Sequence, residues 1–284
     1  MITLKFGDNI FTVFGVFSYL SYISFSFIFA GFIENYIPVV PAITIPLCAN
    51  IFAENNLDYY IRFNFRSIRP RFYSFGALYG LMIYAICLKC YGIPVHISLN
   101  VISKTLCITC GIGRIGCHFY GCCWGKQLYS KETYAITYRD ADTLILRLCP
   151  HLAGKQLFPL QWLEANLCII SGFLLYSLNI IYDYNVAIPN IVIYCVIRCT
   201  FNKYRHDCTK GTSIIDFIIL PLLCCIYLYF YPSNIIYLGL SKQIDNFLKN
   251  NSLYYGIITF FIYGFHYKKL GYWYNASSPK TIKN

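Results

Sequence analysis

The sequence predicts an all-α membrane protein, a polytopic bundle of about seven transmembrane helices. Of its 284 residues, 57% are hydrophobic and only 12% are charged. Because a soluble domain carries about 25% charged residues, this composition favours a membrane protein. The apolar residues also gather in nearly uncharged runs close to the ~20 residues that cross a bilayer as a helix.

Seven such runs follow one another along the chain. They predict spans over Ile10–Ile33, Tyr36–Ala53, Phe72–Leu88, Ile97–Phe119, Leu160–Tyr182, Val186–Phe201 and Asp216–Tyr231. A polar arm, Glu54–Arg71, separates the second span from the third, and a long polar loop, Tyr120–Phe158, separates the fourth from the fifth. We therefore expect these two basic segments on the same side of the membrane.

The chain beyond residue 232 has a different pattern. Apolar residues recur there at helical spacing between polar ones: Ile236, Leu240, Ile244, Phe247 and Leu248. This pattern is typical of a helix that lies in the membrane interface. The apolar segment Leu253–Tyr267 is short, so an eighth span stays open. We predict a transmembrane domain over residues 1–232 and a C-terminal tail over residues 233–284.

The charge of the chain indicates contact with lipid. The net charge is +11, and in a membrane protein such an excess usually meets anionic headgroups. No basic block with interleaved aromatic residues is present, so no nucleic-acid partner is expected. The sequence also predicts no cofactor.

An arginine inside the fourth span is the first functional candidate. A charge at membrane depth costs a few kcal/mol or more, so it is seldom present without a function. Arg114 shares a face of the predicted helix with residues three or four positions apart: Cys107, Cys110, Cys117 and Gly121. The neighbouring Gly113 and Gly116 would let another backbone approach. We expect Arg114 to point into the bundle; the alternative is a structural arginine that bonds helix-end carbonyls.

A second polar face lies in the sixth span. Tyr194, Arg198, Asn202 and Arg205 are spaced by four, four and three residues. Such a face is a poor lipid contact and a good lining for an anionic ligand, because guanidinium groups bind phosphate bidentately and stay charged. For Arg205 the alternative is ordinary snorkelling to the interface.

The fifth span brings a carboxylate one turn inside the membrane. Gln161 and Glu164 lie on one face by their three-residue spacing. A buried carboxylate needs a partner, which Arg114 or Arg198 could supply. Glu164 is either part of a binding site or the structural counter-charge of an arginine.

Together these motifs resemble those of the bacterial prolipoprotein diacylglyceryl transferases. The matching segments are, in chain order, Gly113–Gly116 with Gly121 and Trp124–Lys126, Pro159–Glu164, Tyr194–Arg198 with Arg205 and Asp207, and Gly211–Ser213. Their order and approximate spacing agree with the family over about residues 10 to 231.

The chain also departs from the family pattern. Phe75 stands at the family's functional histidine, and Asn202 stands where a glutamate usually follows the second arginine. In the segment Gly116–Cys122, two asparagines and a glutamate of the family pattern are replaced. The resulting Gly-Cys…Gly-Cys-Cys form resembles a divergent branch of the same family.

The resemblance implies a seven-helix enzyme of the bacterial plasma membrane. It would transfer a diacylglyceryl group from phosphatidylglycerol to the lipobox cysteine thiol of a prolipoprotein, and release glycerol phosphate. We predict Arg114 and Arg198 as the catalytic phosphate clamp and His118 as the proton acceptor, with Tyr120 as an alternative acceptor. The predicted substrate-binding residues are Tyr73, Gly116, Gly121, Gln161, Glu164, Tyr194 and Arg205. Tyr73 is a further candidate acceptor.

Two alternatives stay open. The chain could be an inactive or repurposed relative that binds lipid, because the family histidine is missing. Five cysteines could instead form a metal or redox site: Cys107, Cys110, Cys117, Cys122 and Cys123. Most of the 15 cysteines lie in apolar runs, where cysteine packs as a small apolar residue. The zinc signal is weak by spacing, so we predict packing roles and no metal.

Overall fold

The computed structural model describes residues 4–6, 9–38, 83–130, 132–141, 143–206, 220–231 and 235–267. The described helices are α1 (Val13–Ala30), α2 (residues 83–90), α3 (Val95–Tyr120), α4 (Leu144–Leu148), α5 (Leu160–Tyr182), α6 (Ala187–Asn202), α7 (Leu220–Phe230), α8 (Leu240–Lys249) and α9 (Ser252–Gly264). A 3₁₀ turn, Pro150–Leu152, follows α4. The polar arm, almost all of the second predicted span and the first parts of the third and seventh lie outside the described residues.

Helix α3 is the centre of the bundle. It packs against α1 and α5, and it also contacts α6 and α7. Glycine permits the close approach of α3 and α5: a Cβ on Gly111 would lie 3.0 Å from the carbonyl oxygen of Ala165, and a Cβ on Gly172 would lie 2.9 Å from the backbone nitrogen of Ile108. Small residues at helix crossings let backbones meet in this way.

The glycines predicted for close backbone approach are placed differently. At Gly113 an added Cβ would meet no atom of the described structure within 4 Å. Gly116 does face a neighbouring helix, but it meets the side chains of Phe14 and Phe17 on α1, at 3.1 and 2.9 Å. The predicted close approach is therefore found at Gly116, towards α1, and it is not seen at Gly113 among the described residues. Spacing alone did not show which glycines face α5.

Helix α5 buries polar side chains near its start and exposes apolar side chains along its outer face. On α5, Gln161 and Glu164 are buried, whereas Ile170, Leu174 and Ile181 are 66%, 62% and 67% exposed. This pattern suits a lipid surround and reverses that of a soluble bundle. Three of the described helices, α1, α3 and α5, are long and apolar enough to cross a membrane. The predicted helical membrane bundle is confirmed.

A small antiparallel sheet joins the two ends of the chain. Strands β1 (Leu4–Phe6), β2 (Asn9–Phe11) and β3 (Phe265–Tyr267) lie in that order. Helix α9, which leads into β3, packs along α1. The sheet was not predicted, because three-residue strands leave too little periodicity to recognise.

Helix α8 has the two-sided character that was predicted for the tail. Leu240, Ile244 and Leu248 are exposed along one side. On the other side, Gln243 and Asn246 are buried and donate hydrogen bonds to backbone carbonyls near the end of α1. The apolar side therefore faces the surroundings, as an interfacial helix requires.

The long loop between α3 and α5 has a hydrophobic core of its own. Its buried members are Trp124, Tyr138, Ile145, Leu146, Cys149, Leu152 and Leu157. Leu157 forms β-bridges with both Gln127 and Ile136, which fold the loop back on itself. The loop therefore forms a compact layer next to the C-terminal end of α3.

Candidate active site

Helix α3 ends in a turn that determines the shape of the site. Gly121 has φ +78°, and its backbone nitrogen donates to the carbonyl of His118 at 3.2 Å. The nitrogen of Cys122 donates to the carbonyl of Cys117 at 3.1 Å. These two bonds form a Schellman motif with glycine in the left-handed position. The motif brings residue 122 back beside residue 117.

A buried carboxylate joins the two membrane arginines. Arg198 on α6 donates from Nη1 to both carboxylate oxygens of Glu164, at 2.7 and 2.9 Å. Arg114 on α3 places Nε 2.9 Å from Oε2 of the same carboxylate. The Arg198 and Glu164 side chains are 3% and 1% exposed, and that of Arg114 is 14% exposed. Three helices thus meet at a cluster with two positive charges and one negative charge.

Tyr194 lies near this cluster. The charges of Arg114 and Arg198 both act on its hydroxyl, and it neighbours Cys110. Tyr194 precedes Arg198 by one helical turn on α6, so the predicted common face is present for these two residues. Arg205, which was predicted to continue that face, lies beyond the end of α6 at Asn202 and forms a β-bridge with Gly125. That part of the prediction is wrong, because the helix ends first.

A hydrogen-bond chain connects His118 to the turn after α3. The hydroxyl of Tyr138 donates to the carbonyl of His118 at 3.0 Å and lies 3.3 Å from its Nδ1. Gln161 donates from Nε2 to the Tyr138 hydroxyl at 3.2 Å and to the carbonyl of Cys122 at 2.8 Å. Burial raises the pKa of Tyr138 well above its usual range, so its hydroxyl stays a donor. The ring of His118 also packs 5.0 Å from that of Trp162.

Three thiols meet at the same turn. The Sγ atoms of Cys117, Cys122 and Cys123 all lie within 4.8 Å of one another, and the three residues are partly buried. Cys123 has φ +56°, an uncommon conformation for a residue with a side chain. Arg205 donates from Nη2 to the sulfur of Cys123 at 3.4 Å.

The thiols differ in acidity. Hydrogen bonds from the thiols of Cys117 and Cys122, together with the charges of Arg205 and Arg114, hold the pKa of Cys123 well below its usual range. The hydrogen bonds with Cys117 and Cys123, together with burial, raise the pKa of Cys122 well above its usual range. If one of the three thiols ionises, it is Cys123.

The structure therefore brings together most of the predicted site residues. Arg114, Arg198 and Glu164 are in direct contact, and Gln161 and His118 share one hydrogen-bond chain. Gly116 packs against α1, and Tyr73 lies outside the described residues. The catalytic and binding roles assigned to these residues stay predictions.

Sequence reasoning missed one part of the site and gave a second part, the cysteine group, only as an alternative. Tyr138 lies in the long loop without a motif, and only the tertiary fold connects it to His118. The cysteine group did leave a signal, because a glycine after a helix predicts a Schellman turn that pairs the flanking positions 117 and 122. Cys107 does not belong to this group, since its thiol donates to the carbonyl of Asn190.

Buried charges, exposed apolar side chains and spanning helices define a polytopic membrane protein with a polar internal site. The model of the prolipoprotein diacylglyceryl transferase family matches residues 69–231. This match covers more than half of the chain and includes α3, α5, α6 and their buried charges. The chain belongs to the prolipoprotein diacylglyceryl transferase family, a family of membrane transferases in lipoprotein biosynthesis. A comparison with curated proteins gives no match.

Proposed function

We propose that the protein transfers a diacylglyceryl group from phosphatidylglycerol to the lipobox cysteine thiol of a prolipoprotein, in the bacterial plasma membrane. Family membership supports the class of reaction. The observation that carries the finer assignment is the contact of Arg114 and Arg198 with one buried carboxylate. Both arginines come from the matched region, and both contact the same carboxylate of α5.

The reaction needs positive charge where the phosphate leaves. In phosphatidylglycerol the bond between the diacylglyceryl carbon and the phosphate oxygen breaks. As it does so, negative charge grows on the departing glycerol phosphate. Guanidinium donors in a water-poor site stabilise such charge far better than they would in water. Arg114 reaches Glu164 through Nε, and a guanidinium carries five N–H donors. We assign its terminal nitrogens to the phosphate.

Glu164 keeps the clamp in place. An unpaired guanidinium in the bilayer is costly, and two neighbouring guanidiniums repel each other. The Glu164 carboxylate, held between the two arginines, offsets both effects, and the guanidiniums are proposed to bind the anionic headgroup as well. Tyr194 and Arg205 are proposed to line the same pocket, and Gly121 to shape its edge.

The proton acceptor is proposed to be His118. The substrate thiol must lose its proton before it attacks, because the thiolate is the nucleophile. Histidine titrates near neutral pH, so a neutral imidazole can accept that proton. The alternative, Tyr120, is buried in an aromatic cluster with Phe14 and Tyr263, which favours His118. Tyr73 stays a candidate by sequence alone.

The test is a transfer assay with the full-length protein in phosphatidylglycerol vesicles. The substrate is a synthetic lipobox peptide, and the product is the peptide thioether, detected by mass spectrometry together with released glycerol phosphate. We expect both products with wild type and neither with Arg114→Ala. The matched control is Arg139→Ala, an exposed arginine of the long loop, which should retain the wild-type rate.

Two results would overturn the assignment. Transfer from phosphatidylethanolamine but not from phosphatidylglycerol would exclude the proposed donor. Vesicle binding without any thioether would indicate an inactive, lipid-binding relative.

A further inference from the structure

The cysteine group at the end of α3 is not needed by the proposed transfer as described above. The reacting thiol belongs to the substrate, so no cysteine of the enzyme has to be the nucleophile. Yet three thiols from one turn converge within 4.8 Å. Among the described residues, no other three metal-ligating side chains bring their ligand atoms this close to one another.

The backbone is built to bring these thiols together. The Schellman turn at Gly121 places Cys122 beside Cys117, and the left-handed conformation of Cys123 turns the next side chain towards the same point. A left-handed residue with a Cβ costs about 1–2 kcal/mol. With Cys123 in this conformation, its sulfur lies within 4.8 Å of the sulfurs of Cys117 and Cys122.

The spacing suits a thiophilic metal ion. Zinc binds cysteine sulfur at about 2.3 Å in tetrahedral geometry, which places ligand sulfurs about 3.8 Å apart. The three Sγ atoms lie within 4.8 Å, so each would move by no more than about 1 Å. Thiolate ligands select zinc and other soft ions over magnesium or calcium.

The surroundings suit a metal thiolate as well. Three thiolates around a divalent cation carry a net negative charge. Arg205 already donates to the sulfur of Cys123 at 3.4 Å, and such outer hydrogen bonds orient and stabilise metal ligands. Gln161 fixes the backbone of the turn by its bond to the carbonyl of Cys122 at 2.8 Å.

We infer that Cys117, Cys122 and Cys123 form a three-thiolate site for a zinc-like ion, whose fourth position takes the thiol of the substrate cysteine. The first half of this inference stands on the sulfur geometry. The second half rests on the proposed transfer, and it adds a way to stabilise the substrate thiolate in a chain with Phe75 at the family histidine.

At the fourth position the substrate thiol would ionise and then attack the lipid. The substrate thiol releases its proton to the acceptor of the proposed transfer, and its sulfur forms a bond to the ion, since a coordinating thiol is deprotonated outright. The bound sulfur then forms the carbon–sulfur bond with the glyceryl carbon of the lipid. The carbon–oxygen bond to phosphate breaks at the same carbon, and its electron pair leaves with glycerol phosphate. No oxidant or reductant takes part.

The site is tested by metal content and X-ray absorption of the full-length protein. The protein is purified in detergent with a non-thiol reductant, incubated with zinc chloride and exchanged into zinc-free buffer. We expect about one zinc per chain in wild type and in Cys90→Ser, an exposed cysteine control. Cys117→Ser and Cys123→Ser should each lower retained zinc at least tenfold.

The absorption spectrum covers the case in which a variant does not fold. Wild type alone should show three sulfur neighbours at about 2.3 Å from zinc. Retention of zinc by the triple Cys117→Ser, Cys122→Ser, Cys123→Ser variant, or a wild-type spectrum without sulfur neighbours, would overturn the site. A disulfide between any two of these cysteines in the purified protein would overturn it too.

The role of the fourth position is tested separately, without lipid. Addition of the lipobox peptide should raise the number of sulfur neighbours from three to four, and a peptide with serine at that cysteine should not. An unchanged spectrum would overturn the substrate-thiol role. A fourth sulfur together with no thioether product in vesicles would count against the proposed transfer and leave the metal site supported.

Discussion

Two buried polar clusters hold this bundle together, and they differ in charge. The first centres on Gln243 of α8, which donates from Nε2 to the carbonyl of Phe27 at 2.7 Å and accepts at Oε1 from the Tyr237 hydroxyl at 2.6 Å. Tyr176 bonds to the same amide. Both ends of the amide are satisfied, and no charge is buried. This cluster fastens the tail to the end of α1.

The second cluster places two guanidiniums on one carboxylate. Removing charges from water costs several kcal/mol per ion, and a buried ion pair is often no more stabilising than apolar residues of the same volume. Two buried guanidiniums that share one carboxylate are expected to cost more still in free energy. The proposed function gives Arg114, Arg198 and Glu164 a role in chemistry, and we expect Gln243 to act on stability.

The largest expected difference between the two clusters is the loss of transfer rate when an arginine is replaced. Arg114→Ala and Arg198→Ala should each lower the transfer rate at least ~100-fold, because each removes a donor to the developing phosphate charge. Both proteins should still insert in the membrane. Lysine at either position should rescue poorly, since a point charge lacks the bidentate fork. Near-normal transfer in either alanine variant would remove the phosphate clamp from the mechanism.

The carboxylate should affect stability as well as rate. Glu164→Gln removes the carboxylate that contacts both guanidiniums, and the loss of one partner of a buried pair costs about 3–5 kcal/mol. The free energy of unfolding in detergent, measured with denaturant, checks this value. A loss below ~1 kcal/mol would mean that the arginines are better solvated than their burial indicates.

The proton acceptor should have a smaller effect that depends on pH. The free thiol has a pKa near 8.5, so only a few per cent is ionised at pH 7. Without a base, His118→Gln should slow transfer at pH 7 by up to about 30-fold, and the rate should recover as the pH approaches ~8.5. His151→Gln, an exposed histidine of the loop, is the control. Equal rates of wild type and His118→Gln at every pH would exclude His118.

A substitution in the neutral cluster around Gln243 should lower the stability of the protein and leave its transfer activity unchanged. Gln243→Leu removes the side-chain donor to the Phe27 carbonyl and the amide that two tyrosine hydroxyls contact, at a cost of about 1–3 kcal/mol for an unsatisfied buried group. Transfer per folded molecule should not change. Lys249→Ala, which breaks an exposed ion pair on the same helix, should change stability by no more than about 1 kcal/mol. A large loss of transfer in Gln243→Leu would end the distinction between the clusters.

By itself the sequence determined the class of fold and the charges that matter. Uncharged runs of bilayer length are local features, and α5 begins and ends where the fifth span was predicted, at Leu160 and Tyr182. An intramembrane arginine is likewise visible without any structure, because its cost makes it rare. The resemblance placed Arg114, Glu164 and Arg198 in one site, although it did not show that a single carboxylate contacts both arginines.

Only the tertiary structure decided the contacts between distant segments. The approach of α3 and α5 depends on Gly111 and Gly172, which are 61 positions apart, and Tyr138 reaches His118 only because the long loop folds over the end of α3. The thiol group required both a Schellman turn and a left-handed Cys123. Periodicity reports which face of a helix a residue occupies. What that face meets is decided by packing, which is a property of the whole chain.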